Sequence, residues 1–257
     1  MGRRLFASYR ALSVFCALSA LCGIWLALPQ GAKAAEIRAV VELFTSQGCS
    51  ASPPADRLLG ELARDPSIVA LTLPVDYWDY LGWKDTLAIP QHSARQQAYA
   101  HERGDRNVAT PQAVVNGAIA VVGSDRGAIE RAIAGTQKPA MTVPVRIETH
   151  DGMLVVSVED FDGQNSTGQS GEVWLNIVTR QVAVTVARGE NSGQSLTYYN
   201  VGRRRQKLGV WDGRAARWTL PLADIRQDGV DAVAVIIQSG MAESPGPILG
   251  AAFASLP

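Results

Sequence analysis

Between residues 37 and 134, short β-branched apolar runs alternate with stretches in which apolar residues recur at helical spacing. The pattern predicts, in chain order, strand, helix, strand, helix, strand, strand and helix at 37–44, 53–65, 68–75, 85–102, 112–115, 118–122 and 125–134. The helix at 85–102 is either continuous or interrupted at Pro90. The strand–helix–strand order predicts a parallel pair of strands joined by a crossover helix. The dipeptide Asn116-Gly117 predicts a tight turn, so we expect the last two strands to form an antiparallel hairpin.

Beyond residue 139 the apolar residues follow shorter alternating runs, which Gly, Asn and Asp residues separate. The runs predict strands at 143–148, 154–159, 173–178, 182–187, 194–201, 216–220 and 233–238. Because no helical periodicity stands out, this half is predicted to be an antiparallel β-sandwich. Together the patterns predict an N-terminal segment at 1–34, an α/β domain at 35–138 and a β-rich sandwich domain at 139–257.

The first 34 residues have the layout of a secretory signal peptide. A basic start precedes an uncharged apolar run at 11–28, and the small residues Ala32 and Ala34 mark a cleavage site. We therefore expect the protein to be periplasmic or secreted. An uncleaved anchor is the alternative, because a run of this length nearly spans a bilayer, and only then is membrane contact expected.

Charge and cysteine content narrow the classes of function. The chain has 24 basic and 24 acidic residues, but four basic residues and no acidic one lie in 1–34. The remaining 20 basic and 24 acidic residues argue against a nucleic-acid-binding protein. Cys16 and Cys22 lie in the N-terminal segment, so Cys49 is the single thiol of the exported part and no internal disulfide is expected there. A lone thiol in an oxidising compartment calls for an explanation.

Cys49 lies between a predicted strand and a predicted helix. Backbone N–H groups and the helix dipole at such a junction favour a negative charge, and the thiolate is the nucleophilic form of cysteine. The alternative is a small buried cysteine that fills the core. The polar neighbours Gly48, Ser50 and Ser52 favour the reactive interpretation, and we expect Cys49 to act as a nucleophile.

Two further segments are candidates for partner binding beside Cys49. Thr110-Pro111 precedes a predicted strand, and a cis-proline loop there could offer backbone groups to an extended partner; an ordinary trans proline is the alternative. Trp78 belongs to an acidic and aromatic cluster at 76–85, which is interpreted either as a binding rim or as local packing with helix capping by Asp85.

Several segments together resemble a known family. They are VVELFTSQGCS at 40–50, PPADRLL at 53–59, VDYWDYLGWKD at 75–85 and TPQAVVNG at 110–117. The chain resembles thioredoxin-like proteins, and more closely the exported bacterial family called domain of unknown function 1223. The resemblance implies a thioredoxin-like domain followed by a β-rich domain. It also implies Cys-x-x-Cys at this loop and a histidine before Val75, where this chain has Ser52 and Pro74.

The loss of the second cysteine limits the chemistry. Without a resolving thiol, the chain alone cannot complete a dithiol oxidation or reduction. Three reactions are left: attack on a partner, capture of a partner, or an exchange that an outside thiol such as glutathione completes. In each, Cys49 is the nucleophile, and the Ser52 hydroxyl is expected to donate a hydrogen bond to its thiolate. Thr110, Pro111 and Trp78 would bind a protein or small-thiol partner. The alternative is a redox-inactive thioredoxin-fold binding protein.

Neither a metal nor a cofactor is expected, because the three histidines are scattered without metal-ligand spacing. The pattern predicts no particular oligomeric state.

Overall fold

The computed structural model describes Gly2 and residues 36–105, 107–136, 141–159 and 170–257. Apart from Gly2, the predicted signal peptide lies outside the described residues, and it stays a prediction. The first half contains β1 (Ala39–Thr45), α1 (Pro53–Leu62), β2 (Ile68–Pro74), a 3₁₀ turn (Asp79–Leu81), α2 (Pro90–Glu102), β3 (Gln112–Val115), β4 (Ile119–Val122) and α3 (Arg126–Thr136). The second half contains β5 (Val145–His150), β6 (Met153–Val158), β7 (Gly171–Thr185), β8 (Ser195–Trp211), β9 (Ala216–Pro221), α4 (Leu222–Ile225), β10 (Ala232–Met241) and β11 (Ser244–Ser255).

The strand pairing of the first half agrees with the sequence pattern. β1 and β2 run parallel and are buried along their whole length, and β3 and β4 form an antiparallel hairpin. Asn116 and Gly117 at the hairpin turn have φ of 50° and 67°, the left-handed backbone that a type I′ turn needs at both central positions. β3 also pairs with β1, which completes the local order β2-β1-β3-β4.

An eight-stranded sheet extends across both halves of the chain, in the order β11-β10-β7-β8-β2-β1-β3-β4. The halves join where β2 meets β8, with Thr72 opposite Val201 in a parallel pairing. A second, three-stranded sheet has the order β5-β6-β9. One layer of the expected sandwich, formed by β11, β10, β7 and β8, is therefore part of the same sheet as the α/β strands. The domain boundary at 138–139 stays a prediction.

Each face of the large sheet has its own apolar core. α1 and α3 pack on one face of β1 and β3 through Leu58, Leu59 and Ile129. Tyr99 of α2 packs on the opposite face. The three-stranded sheet contributes Leu154 and covers the strands β7 and β10. Among the described residues, no helix combines the length and apolar character needed to cross a membrane.

Several elements differ from the prediction, and β8 extends ten residues beyond the predicted strand at 194–201. The second helix begins at Pro90 instead of residue 85. The Asp85 carboxylate accepts the N–H groups of Leu87 and Ala88 and so closes a turn. Ile89, the residue before the proline, has an extended backbone. β7 joins two predicted strands into one. The short helix α4 and the strand β11 had no clear signal in the sequence.

Candidate functional site

Cys49 lies in the turn that leads from β1 to α1, as the sequence predicts. Its N–H donates to the Ser46 carbonyl at 3.2 Å, and its own carbonyl accepts from the Ser52 N–H at 3.1 Å, so the loop is wound tightly around it. The residue is only 3% exposed. Its Sγ lies 3.6 Å from the carbonyl oxygen of Thr110, 61 residues along the chain, and donates a hydrogen bond to it. The fold thus brings two of the predicted site residues together.

The Thr110-Pro111 peptide bond is cis, and Pro111 is buried beside the Cys49 loop. Its carbonyl accepts the Gly123 N–H at 2.9 Å. A Cβ on Gly123 would lie 2.5 Å from Leu43 and 3.1 Å from Pro111, so only glycine permits this close approach. Strand β1 and the turn after β4 therefore hold the proline loop in place from two sides.

A buried glutamine, which the sequence analysis did not single out, connects the proline loop to the aromatic segment. Gln96 on α2 donates to the Ala109 carbonyl at 2.9 Å and to the Gln112 side chain at 3.1 Å. It accepts a hydrogen bond from the Tyr77 hydroxyl at 3.1 Å. Burial, together with the nearby Cys49, raises the pKa of Tyr77 to about 12, so this hydroxyl is protonated at neutral pH. Helix α2 thus holds both the proline loop and the aromatic segment in place.

Ser52 forms no hydrogen bond with the sulfur in the described residues. Its hydroxyl is fully buried and accepts the Ser46 N–H at 3.4 Å, so the predicted hydrogen bond to Cys49 is not formed in the part of the chain that the structure describes. The Ala55 and Asp56 N–H groups, which open the helix, donate to the Ser52 carbonyl. In the described residues the sulfur accepts no backbone N–H, contrary to expectation, and its hydrogen bond is a donation to Thr110.

Trp78 borders the loop as predicted, because it packs against Gly48. A Cβ on Gly48 would lie 3.2 Å from the Cβ of Trp78, which accounts for glycine next to Cys49. The neighbouring Tyr80 is 79% exposed and Leu81 is 39% exposed. The cluster at 76–85 therefore presents an apolar surface at one side of the site.

Helix capping by Asp85, the alternative interpretation of the same cluster, is wrong: helix α2 begins at Pro90 after Ile89 and has no side-chain cap, and Asp85 instead closes the turn before it. One carboxylate oxygen accepts the N–H groups of Leu87 and Ala88 at 2.9 and 3.1 Å, and the other accepts the Gln47 N–H at 2.8 Å. The Gln47 side chain in turn accepts the Trp83 indole N–H at 2.8 Å. Through these hydrogen bonds to Gln47, the cluster also holds the Cys49 loop in place.

The second half of the chain contacts the Cys49 loop directly. Asn191, in the hairpin tip between β7 and β8, donates from its side-chain amide to the carbonyls of Gln47 and Cys49, both at 2.9 Å. The Glu190 carboxylate accepts the Ser50 N–H at 3.0 Å. These residues carried no signal in the sequence, because they lie in a short Gly-Glu-Asn-Ser-Gly turn about 140 positions from Cys49.

A buried carboxyl lies in the first turn of α1. Asp56 accepts a hydrogen bond from the Thr45 hydroxyl at 2.7 Å, while its other oxygen has no hydrogen-bond partner among the described residues. Burial raises the pKa of Asp56 to about 8. The sequence analysis placed Asp56 at a helix start and did not predict its burial.

No group of three or more His, Cys, Asp or Glu residues in the described ranges is arranged to hold a metal ion. The expectation of no metal and no cofactor stays a prediction.

Comparison with known proteins identifies a family and two similar structures. The model of the family described as "protein of unknown function (DUF1223)" matches residues 40–238. A structural genomics crystal structure from Agrobacterium tumefaciens is 30% identical, covers 85% of this chain and 94% of that chain, and has a TM-score of 0.75. HBP35 of Porphyromonas gingivalis is 11% identical over 86% of this chain and 76% of that chain, with a TM-score of 0.56, which is a likeness of fold alone. No curated protein matches the chain.

Proposed function

The chain belongs to the DUF1223 family of proteins of unknown function, and on that premise we propose that it is an exported, thioredoxin-like protein whose single reactive thiol, Cys49, exchanges with or captures a partner. The strand order β2-β1-β3-β4 supports the thioredoxin-like assignment. So do the parallel β1–β2 pair, the antiparallel β3–β4 hairpin and the cis proline before β3. The basic, apolar leader supports export to the periplasm or beyond.

One observation carries the proposal: the Cys49 sulfur lies 3.6 Å from the carbonyl of Thr110, the residue before the cis proline. A cysteine that merely filled the core would lie among apolar side chains. This one lies instead at a polar junction of two loops, where a partner chain would meet the sulfur and the backbone of Thr110 together once the loop opens. Trp78 and the exposed residues after it would line the same entrance.

The proposed reaction is an exchange without net oxidation. The Cys49 thiol loses its proton to solvent, and the thiolate attacks one sulfur of a partner disulfide. A Cys49–partner S–S bond forms as the partner's own S–S bond breaks, and the departing sulfur leaves as a thiolate that takes up a proton. Because Ser52 supplies no second thiol, an external thiol such as glutathione must attack the partner sulfur and so release Cys49.

Incubation of the folded full chain with glutathione disulfide tests this function. We expect the peptide that contains Cys49 to gain the mass of one glutathione, and we expect a reducing thiol to remove it. The Cys49→Ala variant must show no such adduct at this peptide. If the folded protein stays unmodified while the unfolded chain reacts, the proposal is wrong.

The resting geometry favours a second candidate, a redox-inactive binding protein with the same fold. Cys49 is only 3% exposed, and its Sγ donates a hydrogen bond to the Thr110 carbonyl instead of accepting one. In that case the exposed Tyr80 and Leu81 would serve partner binding, and Cys49→Ala would retain full binding of the partner. Loss of partner binding in Cys49→Ala would instead support the reactive thiol.

A further inference from the structure

The peptide group between Cys49 and Ser50 is held at both edges by two consecutive residues of the second half. Its carbonyl oxygen accepts from Asn191, and its N–H donates to Glu190. A peptide unit is rigid and planar, so it cannot rotate without breaking both hydrogen bonds. Breaking these hydrogen bonds therefore frees the loop that carries the sulfur to change its conformation.

The holding residues are themselves well ordered within their turn. Asn191 is 1% exposed, and its side-chain oxygen accepts the Gln194 side-chain amide at 3.2 Å. This bond orients the Asn191 amide so that its nitrogen faces the two carbonyls of the Cys49 loop. The backbone of the tip is closed by hydrogen bonds between Val186 and Gln194 and between Gly193 and Val186.

We propose that Glu190 and Asn191 are positioning residues that keep Cys49 closed against the Thr110 carbonyl, and that release of this hairpin tip opens the thiol for reaction. The inference rests on the proposed function, since it concerns the reactivity of the same sulfur. It assigns to the second half of the chain a role in controlling the first.

The effect on the sulfur follows from two features of the contact. While the loop is held, the thiol is covered and its S–H is directed at the Thr110 carbonyl, and neither condition suits attack. Glu190 also occupies the Ser50 N–H, the first amide after Cys49, which would otherwise be free to stabilise a thiolate. Its hydrogen bonds with Ser50 lower the pKa of Glu190, so this carboxylate is charged at neutral pH. Because Glu190 is exposed at the surface, a partner can reach and displace it.

Alkylation of Cys49 by iodoacetamide in the folded full chain, followed by mass spectrometry of the peptide that contains it, tests this inference. Loss of two buried hydrogen bonds in Asn191→Ala should raise the population of the open loop, and the alkylation rate, about tenfold. Glu190→Ala should raise the rate by a smaller factor without risk to folding, since the residue is exposed. Glu190→Gln keeps an acceptor for the Ser50 N–H and should restore the closed behaviour. Ser192→Ala is the matched control, because its hydroxyl donates to the Ala187 carbonyl within the tip and forms no hydrogen bond with the Cys49 loop among the residues that the structure describes.

Faster alkylation in Asn191→Ala and Glu190→Ala, with near-parental rates in Glu190→Gln and Ser192→Ala, would support the inference. Unchanged rates in both alanine variants, or an equal rise in the Ser192 control, would overturn it. The proposed function fails separately, when glutathione disulfide forms no adduct with Cys49 of the folded parent. Iodoacetamide reports access to the sulfur whether or not the chain exchanges disulfides, so the two failures are distinguishable.

Discussion

Glu42 of β1 and Arg95 of α2 form a two-pronged ion pair inside the protein, with Nε–Oε1 at 2.6 Å and Nη2–Oε2 at 2.7 Å. Both side chains are almost fully buried. The Tyr99 hydroxyl donates to the same carboxylate, and Gln238 of β10 accepts from Arg95. Burial alone would raise the pKa of Glu42, but the neighbouring guanidinium and its hydrogen bonds outweigh burial and hold it below its usual value. The pair therefore joins α2 to strands from both halves of the chain.

Removal of one charge from this pair should destabilise the protein strongly. Glu42→Gln keeps the size of the side chain but leaves Arg95 as an uncompensated buried cation, which typically costs about 3–5 kcal/mol. Urea unfolding at pH 7 measures the loss. The matched control is Glu159→Gln at the exposed pair with Arg146, which should change the free energy of unfolding by less than about 1 kcal/mol. Equal losses of unfolding free energy in the two variants would show that Glu42 and Arg95 do not form an ionised, coupled pair.

A second thiol at position 52 should convert the site to a dithiol. Ser52 follows Cys49 within one turn, and its N–H donates to the Cys49 carbonyl at 3.1 Å, so the two side chains belong to the same loop. Ser52→Cys is expected to reduce insulin disulfides and the parent is expected not to, because only the new thiol can resolve the mixed disulfide. Ser50→Cys places a thiol beside Cys49 outside this arrangement and is the control. Absence of a gain in Ser52→Cys would mean that other parts of the site no longer support exchange.

The sequence could predict those parts of the fold that depend on local pattern. The apolar runs of β1 and β2 and the Asn116-Gly117 turn are signals of short range, and the structure has these elements close to the expected positions. The start of α2 was missed because the Asp85 side chain forms its own turn before Pro90. Strand β11 was missed because its prolines and glycines are typical of turns. Its pairing with β10 contains register shifts that accommodate them.

The candidate site was predictable only in part for the same reason. Cys49 and Thr110 were identified from their loops, and the structure brings them together. Contacts that depend on distant segments had no local signal: Asn191 reaches the Cys49 loop across 142 positions, and Thr72 meets Val201 through sheet pairing. The Ser52 hydroxyl was expected at the sulfur, but the loop turns it towards the Ser46 N–H.

His92 should make the protein sensitive to acid. Its Nδ1–H donates to the Pro74 carbonyl at 2.9 Å, and burial lowers the pKa of His92 from 6.5 to about 4. The unfolded chain therefore binds this proton more readily, and stability falls as the pH drops from about 6.5 to about 4. His92→Asn keeps a donor for Pro74 and should recover up to about 3 kcal/mol at the low end of this window. Urea unfolding of parent and variant at pH 7 and pH 4 measures this gain in the free energy of unfolding, with the exposed His101→Asn as control. A gain that is no larger at pH 4 than at pH 7 would contradict the prediction.

Asp56, in contrast to His92, should lower the stability of the protein as the pH rises. Burial raises its pKa from 3.8 to about 8, so the native state holds a proton that the unfolded state releases, and stability falls as the pH rises through this range. Asp56→Asn keeps an oxygen for the Thr45 hydroxyl and carries no charge. We expect the variant to resemble the parent near pH 4 and to exceed its free energy of unfolding above pH 8, by up to about 5 kcal/mol. Exposed Asp228→Asn is the control and should change the free energy of unfolding by less than about 0.5 kcal/mol. A difference between Asp56→Asn and the parent that stays constant from pH 5 to pH 9 would show that this carboxyl is ionised throughout and that its burial does not govern its titration.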